Sequence, residues 1–283
     1  MGTCLHRIPY DKRGRTPPKD ARKGRRLAGT RYAHDYATAS LRRKGQYDVV
    51  AVSPYDPGES RADVTRRLLR QAADGGFAPR YVFMDRTFWS ADVVRYLPRA
   101  RHPFVIPVQA RGKKATAPGG PTGTQAFFHG CPSGRHTYRV ANRQKRTAGV
   151  TIVVQRHNHA GREGKQGRCA WAYALWRVDL ATARSAPATY RRRFRIESRY
   201  RLLETGRGRT SRRDEGLRLW YVVLAVRLVN AHLARRRESA RVGRPGEAGR
   251  CWCLELLAVL AQLLLETPAA SEVAAPSAGA APR

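Results

Sequence analysis

The chain has 283 residues and a formal net charge of +34, with Lys+Arg 55 against Asp+Glu 21. Such an imbalance repels itself in the absence of a polyanion, which makes nucleic acid the first expected partner, because each neutralised phosphate releases condensed counterions. Most of the charge is Arg, whose planar fork suits phosphate, although a GC-rich genome also inflates Arg, Ala and Gly.

In chain order, residues 11–31 are basic and rich in Gly and Pro and read as a loop. Ala37 to Leu41 and Val49 to Ser53 read as short strands. Ser60 caps a helix running to about Asp74, with Val64, Leu68 and Leu69 inward, and Gly75-Gly76 stops it. Tyr81 to Asp85 is apolar until its last residue, as a buried strand would be. Ser90 caps a short helix through Val93, Val94 and Leu97, ended by Pro98. Phe104 to Val108 is another strand. Strands alternating with helices predict an α/β architecture around a mixed sheet.

Residues 110–125 form a Gly/Lys/Pro loop, and from about 126 to 180 the period changes to two. Val150 to Gln155 and Cys169 to Val178 read as a hairpin joined by the polar Arg156–Arg168 segment. Helices are expected at Pro187–Glu204, at Asp214–Arg237 with an apolar face of Leu217, Trp220, Tyr221, Leu224 and Leu228, and at about Leu254–Glu266. The Ala/Pro/Ser stretch 267–283 reads as a disordered tail.

Five Cys residues (Cys4, Cys131, Cys169, Cys251, Cys253) form no disulfide framework, and Cys251-Trp252-Cys253 is too tight for the usual zinc spacing. No signal peptide is evident, and Leu256 to Leu265 is too short to span a bilayer. No membrane association is expected. The expected location is cytoplasmic and nucleoid-associated.

Two stretches carry chemistry. The first, Tyr81-Val82-Phe83-Met84-Asp85-Arg86-Thr87-Phe88, delivers a carboxylate at the end of an apolar run. The second begins at Tyr190. Tyr190, Arg193, Glu197, Arg201 and Glu204 follow one another in steps of three or four and form one helical stripe. Oxygen ligands from Asp85 and Glu197 would suit Mg²⁺ or Mn²⁺, and metal held there could act on a phosphodiester. Arg193, Arg201 and Tyr190 could contact the nucleic-acid backbone. Taken alone, the stripe equally describes a surface helix laced with ion pairs, and Asp85 a carboxylate at a strand-end turn. His157-Asn158-His159, placed in the hairpin loop, is too compact for an HNH nuclease. Lys113-Lys114 and Gly119-Gly120 lack a P-loop frame.

Tyr190, Arg193 and Glu197 at this spacing resemble the signature around the third carboxylate of DDE insertion-sequence transposases. Asp85-Arg86-Thr87-Phe88 resembles that family's second-carboxylate segment. Tyr200-Arg201-Leu202-Leu203 and Arg209-Thr210-Ser211-Arg212-Arg213-Asp214 resemble the downstream helix and turn of one branch. The similarity runs from residue 4 to about 235.

The resemblance implies a ribonuclease-H-like α/β core of mixed sheet and flanking helices, interrupted by a β-rich insertion before the Glu-bearing helix. The expected division is 1–110 for the first part of the core, 111–185 for the insertion, 186–240 for the C-terminal core helices, 241–266 for an accessory helix and 267–283 for the tail. It further implies metal-dependent DNA cleavage and strand transfer, with Asp85 and Glu197 as catalytic metal ligands. Mg²⁺ or Mn²⁺ would be the cofactor, duplex DNA with terminal inverted repeats the partner, and a homodimer on DNA the assembly.

This chain departs from the family in three places. The first acid, expected on the first strand, is matched by Cys4, and thiolate is a soft ligand for a hard ion. The Lys or Arg expected seven residues after Glu197 is Glu204. The resemblance leads one to expect an N-terminal DNA-binding region before residue 4, and the expectation for this chain is a copy truncated there. Asp11, Asp35 and Asp48 are other carboxylates without motif support. A decayed transposase with weak or lost cleavage is therefore expected. A non-catalytic DNA-binding derivative is the alternative, and an Arg-rich RNA-associated protein a third reading.

Overall fold

The computed structural model describes residues 1–9, 21–27, 30–43, 46–113, 119–129, 131–142, 144–159, 167–179, 184–185, 187–188, 190 and 214–241. Among the described residues, nine strands form one mixed sheet. β1 (Gly2–Pro9) pairs antiparallel with the long β3 (Thr30–Arg43), from Gly2 opposite Ser40 to Pro9 opposite Ala33. On the other edge of β3 lie β2 (Arg22–Leu27) at one end and β4 (Gln46–Pro54) at the other. Ala39 faces Ala51 and Ser40 faces Val49, so Val50 is an extra residue, a β-bulge that adds local twist.

The chain then enters helix α1 (Arg61–Asp74), whose first turn is capped by the Ser60 hydroxyl accepting from the Asp63 amide. Val64, Leu68, Leu69 and Ala72 recur at helical spacing and are buried against the sheet. Arg67 pins the corner, donating to Ser53 Oγ at 2.8 Å, to the Pro54 carbonyl at 2.7 Å and to both Glu59 oxygens. β5 (Val82–Phe83) lies parallel to β1, with Gly2 level with Phe83. A 3-10 turn at Arg86–Phe88 leads to the Ser90 cap and helix α2 (Ala91–Arg99). β6 (Phe104–Pro107) is parallel to β5. Antiparallel β1, β3 and β4, with β2 added at the edge, then parallel β5 and β6 reached through helices, form the ribonuclease-H-like arrangement.

The β-rich segment extends this same sheet. β7 (Gly134–Ala141), β8 (Thr147–His159) and β9 (Gly167–Trp176) form a meander, and β9 pairs antiparallel with β6. Strand alternation sorts the core into two faces. Val82, Met84, Phe104, Ile106, Ala172 and Ala174 pack with α1 and α2 on one. Val105, Val153, Tyr173 and Leu175 occupy the other, with Phe83 and Tyr190 against them.

Helix α3 (Glu215–Arg241) covers the outer edge of β4. The Asn230 amide donates to the Val49 carbonyl at 2.8 Å and its oxygen accepts from the Val49 amide at 3.2 Å. Arg237 pairs with Asp48 at 2.6 Å. Glu215–Ala234 is long and apolar enough to cross a membrane by length and composition, a test that core helices also pass.

Several sequence expectations need correction. Part of the expected 11–31 loop is strand: β2 pairs with β3, although its Arg- and Lys-rich sequence has no apolar alternation, because backbone hydrogen bonds alone suffice at an edge. Pro98 does not end α2, which continues to Arg99. His157-Asn158-His159 lies in β8, paired with Cys169, Arg168 and Gly167, not in a loop. The buried side of α3 is Val222, Ala225, Val226, Leu228, Val229 and His232, whereas Trp220, expected inside, is 56% exposed. The expected helices at Pro187–Glu204, apart from a few residues, and at Leu254–Glu266 lie outside the described residues, as does the tail.

Candidate active site

Asp85 stands where the sequence places it, at the C-terminal end of a central strand. The ladder continues one residue past β5, with the Met84 amide donating to the Val105 carbonyl at 3.0 Å. Met84 is fully buried on the α1/α2 face. Asp85 then turns to the opposite side by strand alternation. Its carbonyl accepts from the Phe88 amide at 2.9 Å, which starts the 3-10 turn. A buried strand thus ends in a partly exposed carboxylate with a rigid backbone behind it.

Tyr190 lies on that same face. Its ring meets Tyr173 edge-on at 6.0 Å between centroids, and it packs on the patch that includes Phe83. Much of the Tyr190 ring therefore serves as an anchor, seating its backbone on the side of the sheet toward which Asp85 turns. Arg193, Glu197 and Arg201 lie outside the described residues, and so do Glu204 and Asp11.

The partner position on β1 follows from register. Gly2 is level with Phe83, the single pair of the β1–β5 ladder; continued two residues further, that register would bring the Cys4 backbone level with Asp85, one strand spacing of about 4.8 Å away. Cys4 sits opposite Thr38 of β3. The alternative acids are badly placed. Asp35 is opposite Arg7 on β3, one strand beyond β1 and three residues further along, a backbone offset of roughly 14 Å from Asp85. Asp48 is on β4, where it is tied to Arg237. Among the described residues, no group of three His, Cys, Asp or Glu side chains could hold a metal ion. Asp85 offers the hard oxygen that Mg²⁺ prefers, and the neighbouring Cys4 position does not. The donor set therefore fits such an ion only in part.

Other motif-like segments are structural. The Gly/Lys/Pro loop is closed at its base: the Lys113 amide donates to Thr122 Oγ1 at 3.0 Å, and the Arg111 amide to Thr124 Oγ1 at 2.8 Å. Gly112 (φ 114°) lies so close that a Cβ there would stand 2.1 Å from the Thr122 carbonyl oxygen. Cys131 Sγ lies 3.3 Å from His136 Nε2, a pair that the sequence reading did not single out.

Comparison with solved structures finds the piggyBac transposase synaptic complex with hairpin DNA, at a TM-score of 0.56 and 11% identity, covering 95% of this chain and 54% of that chain. The chain thus spans about half the length of that protein, and at such identity the likeness is one of fold. No curated protein matches the chain. The family model described as the transposase DDE domain matches residues 17–226, well over half of the sequence. By that match, the chain belongs to the DDE-domain transposases.

Proposed function

We propose that this chain is a DNA-binding transposase-type protein whose metal-dependent strand cleavage is weakened by Cys4. The observation that supports the reading is the parallel pairing of Gly2 with Phe83, a register that, carried two residues on, would bring Cys4 level with Asp85. Asp85 and Glu197 would hold Mg²⁺ or Mn²⁺. Held there, the metal would supply charge neutralisation at the scissile phosphate and a more acidic bound water. The chain's own part is to bring the phosphodiester to Asp85 and hold it there. The large positive charge draws duplex DNA to the surface. Arg193 and Arg201 would grip phosphates flanking the scissile bond, and Tyr190, anchored on Tyr173, would orient the segment that follows it. A thiol in place of the first acid removes one hard ligand and one negative charge, so metal occupancy falls while DNA binding persists.

The test is Mg²⁺-dependent nicking of duplex DNA carrying a terminal inverted repeat. Wild type should nick weakly, Cys4→Asp more strongly, and Asp85→Ala or Glu197→Ala in the Cys4→Asp background should abolish the gain. Robust nicking by wild type that Cys4→Asp leaves unchanged would overturn the reading. DNA binding without nicking by any variant would favour the purely DNA-binding derivative.

A further inference from the structure

On the sheet face opposite Asp85, α1 and α2 lie side by side with the turn between β7 and β8 against them. Together they enclose a hollow of about 480 Å³. The turn is held to α2 by the Asn142 side-chain amide, which donates to Asp92 at 3.0 Å. The Asn142 oxygen in turn accepts from the Arg146 amide at 2.9 Å, so the turn is folded on itself as well as docked.

Two carboxylates line the hollow, and both are committed. Asp63 accepts from the Ser60 hydroxyl at 2.6 Å and from Arg66 at 2.8 Å. Asp92 is the acceptor of Asn142. Arg66 is further engaged over the Tyr96 ring, 5.2 Å from its centroid. Three more guanidinium groups line the same space: Arg95 and Arg99 from α2, and Arg146 from the turn. Among the described residues, none offers these three a hydrogen bond or an ion pair. Arg95 and Arg99 are four apart on the helix, hence about 6 Å apart at Cβ.

Three unengaged planar forks around one polar hollow are a receptor for oxyanions, since Arg binds phosphate through paired N–H groups. We propose that this hollow is a second docking site for duplex DNA, gripping backbone phosphates on the side of the sheet away from Asp85. The proposal rests on DNA as the partner in the function proposed above, and not on its chemistry. Grips on two sides of the sheet would let the protein hold a stretch of DNA that is not being cut.

The test is the salt dependence of duplex DNA binding by the full chain. Arg95→Gln/Arg99→Gln/Arg146→Gln is compared with a control of equal charge, Arg135→Gln/Arg139→Gln/Arg227→Gln, built from exposed positions elsewhere. Each phosphate contact contributes roughly 0.9 to the slope of log K against log salt, so losing three should flatten it by about 2.7. The control should change it far less, and thermal melting should show both variants folded. An unflattened slope, or equal flattening in the control, would overturn the proposal. So would flattening confined to duplex RNA. Wild type that fails to bind DNA at all would sink the proposed function as well, whereas loss of cleavage alone would leave this site standing.

Discussion

Asn230→Ala tests how the outer edge of the sheet is closed. β4 has β3 on one side, and the Val49 N–H and C=O point away from it toward α3. Asn230 meets both groups, at 3.2 and 2.8 Å, as a neighbouring strand would. Each neutral hydrogen bond contributes about 1 kcal/mol net, and an orphaned buried group costs a further 1–3 kcal/mol. Val49 is buried, so water would reach the two groups only in part after truncation. The expected loss is about 2–4 kcal/mol, a drop in Tm on the order of 5–10 °C for a domain of this size. The assay is thermal melting with amide hydrogen exchange at Val49, whose protection should fall before that of Phe104–Pro107. Arg227→Ala, on the exposed side of the same helix, is the control and should be nearly neutral. A Tm within 1 °C of wild type, with Val49 still protected, would refute the idea that this side chain acts as the missing strand.

Two other outcomes are expected. Gly112→Ala would force a methyl against the Thr122 carbonyl at a φ that L side chains rarely adopt, costing about 2 kcal/mol or more; unchanged denaturant unfolding would contradict it. Burial lowers the pKa of His102 below its ordinary 6.5, so the unfolded chain takes up that proton first as the pH falls. The stabilising contribution is complete above about 6.5 and declines as the pH drops toward the folded value; His102→Asn should therefore lose less stability than wild type between pH 7 and 5, and parallel curves would argue against it.

Sequence reading succeeded where the signal was local. The Ser60 and Ser90 caps, the periodic Val64, Leu68 and Leu69, and the apolar runs ending at Asp85 and Val108 each carry their information within one element. It failed where neighbours decide. The RKGRRL strand exists because β3 offers it an edge, which nothing within those six residues announces. α3 is apolar on nearly every side, so its periodicity could not reveal that Val222, Val226 and Val229, rather than Trp220, turn inward. β5 is shorter than its apolar run because the ladder ends where the 3-10 turn begins. Asp85 was legible as a strand-end acid, and Cys4 as the odd residue at the matching position. That the two would be level depends on a pairing across about 80 residues of chain. The arginine-lined hollow was invisible for the same reason. Arg66, Arg95 and Arg146 come from three segments, each an unremarkable basic stretch in a chain full of them.

The join between β6 and β9 constrains how such a chain can be cut and spliced. Phe104 to Pro107 is buried throughout and is zipped to Tyr173 through Trp176. Deleting the meander would leave this ribbon bare, with a row of open amides and carbonyls inviting another copy to stack against it. Grafts and tags therefore belong away from this seam and away from the β7–β8 turn, which Asn142 ties to α2. A cut made at the seam would yield precipitate rather than a smaller folded protein.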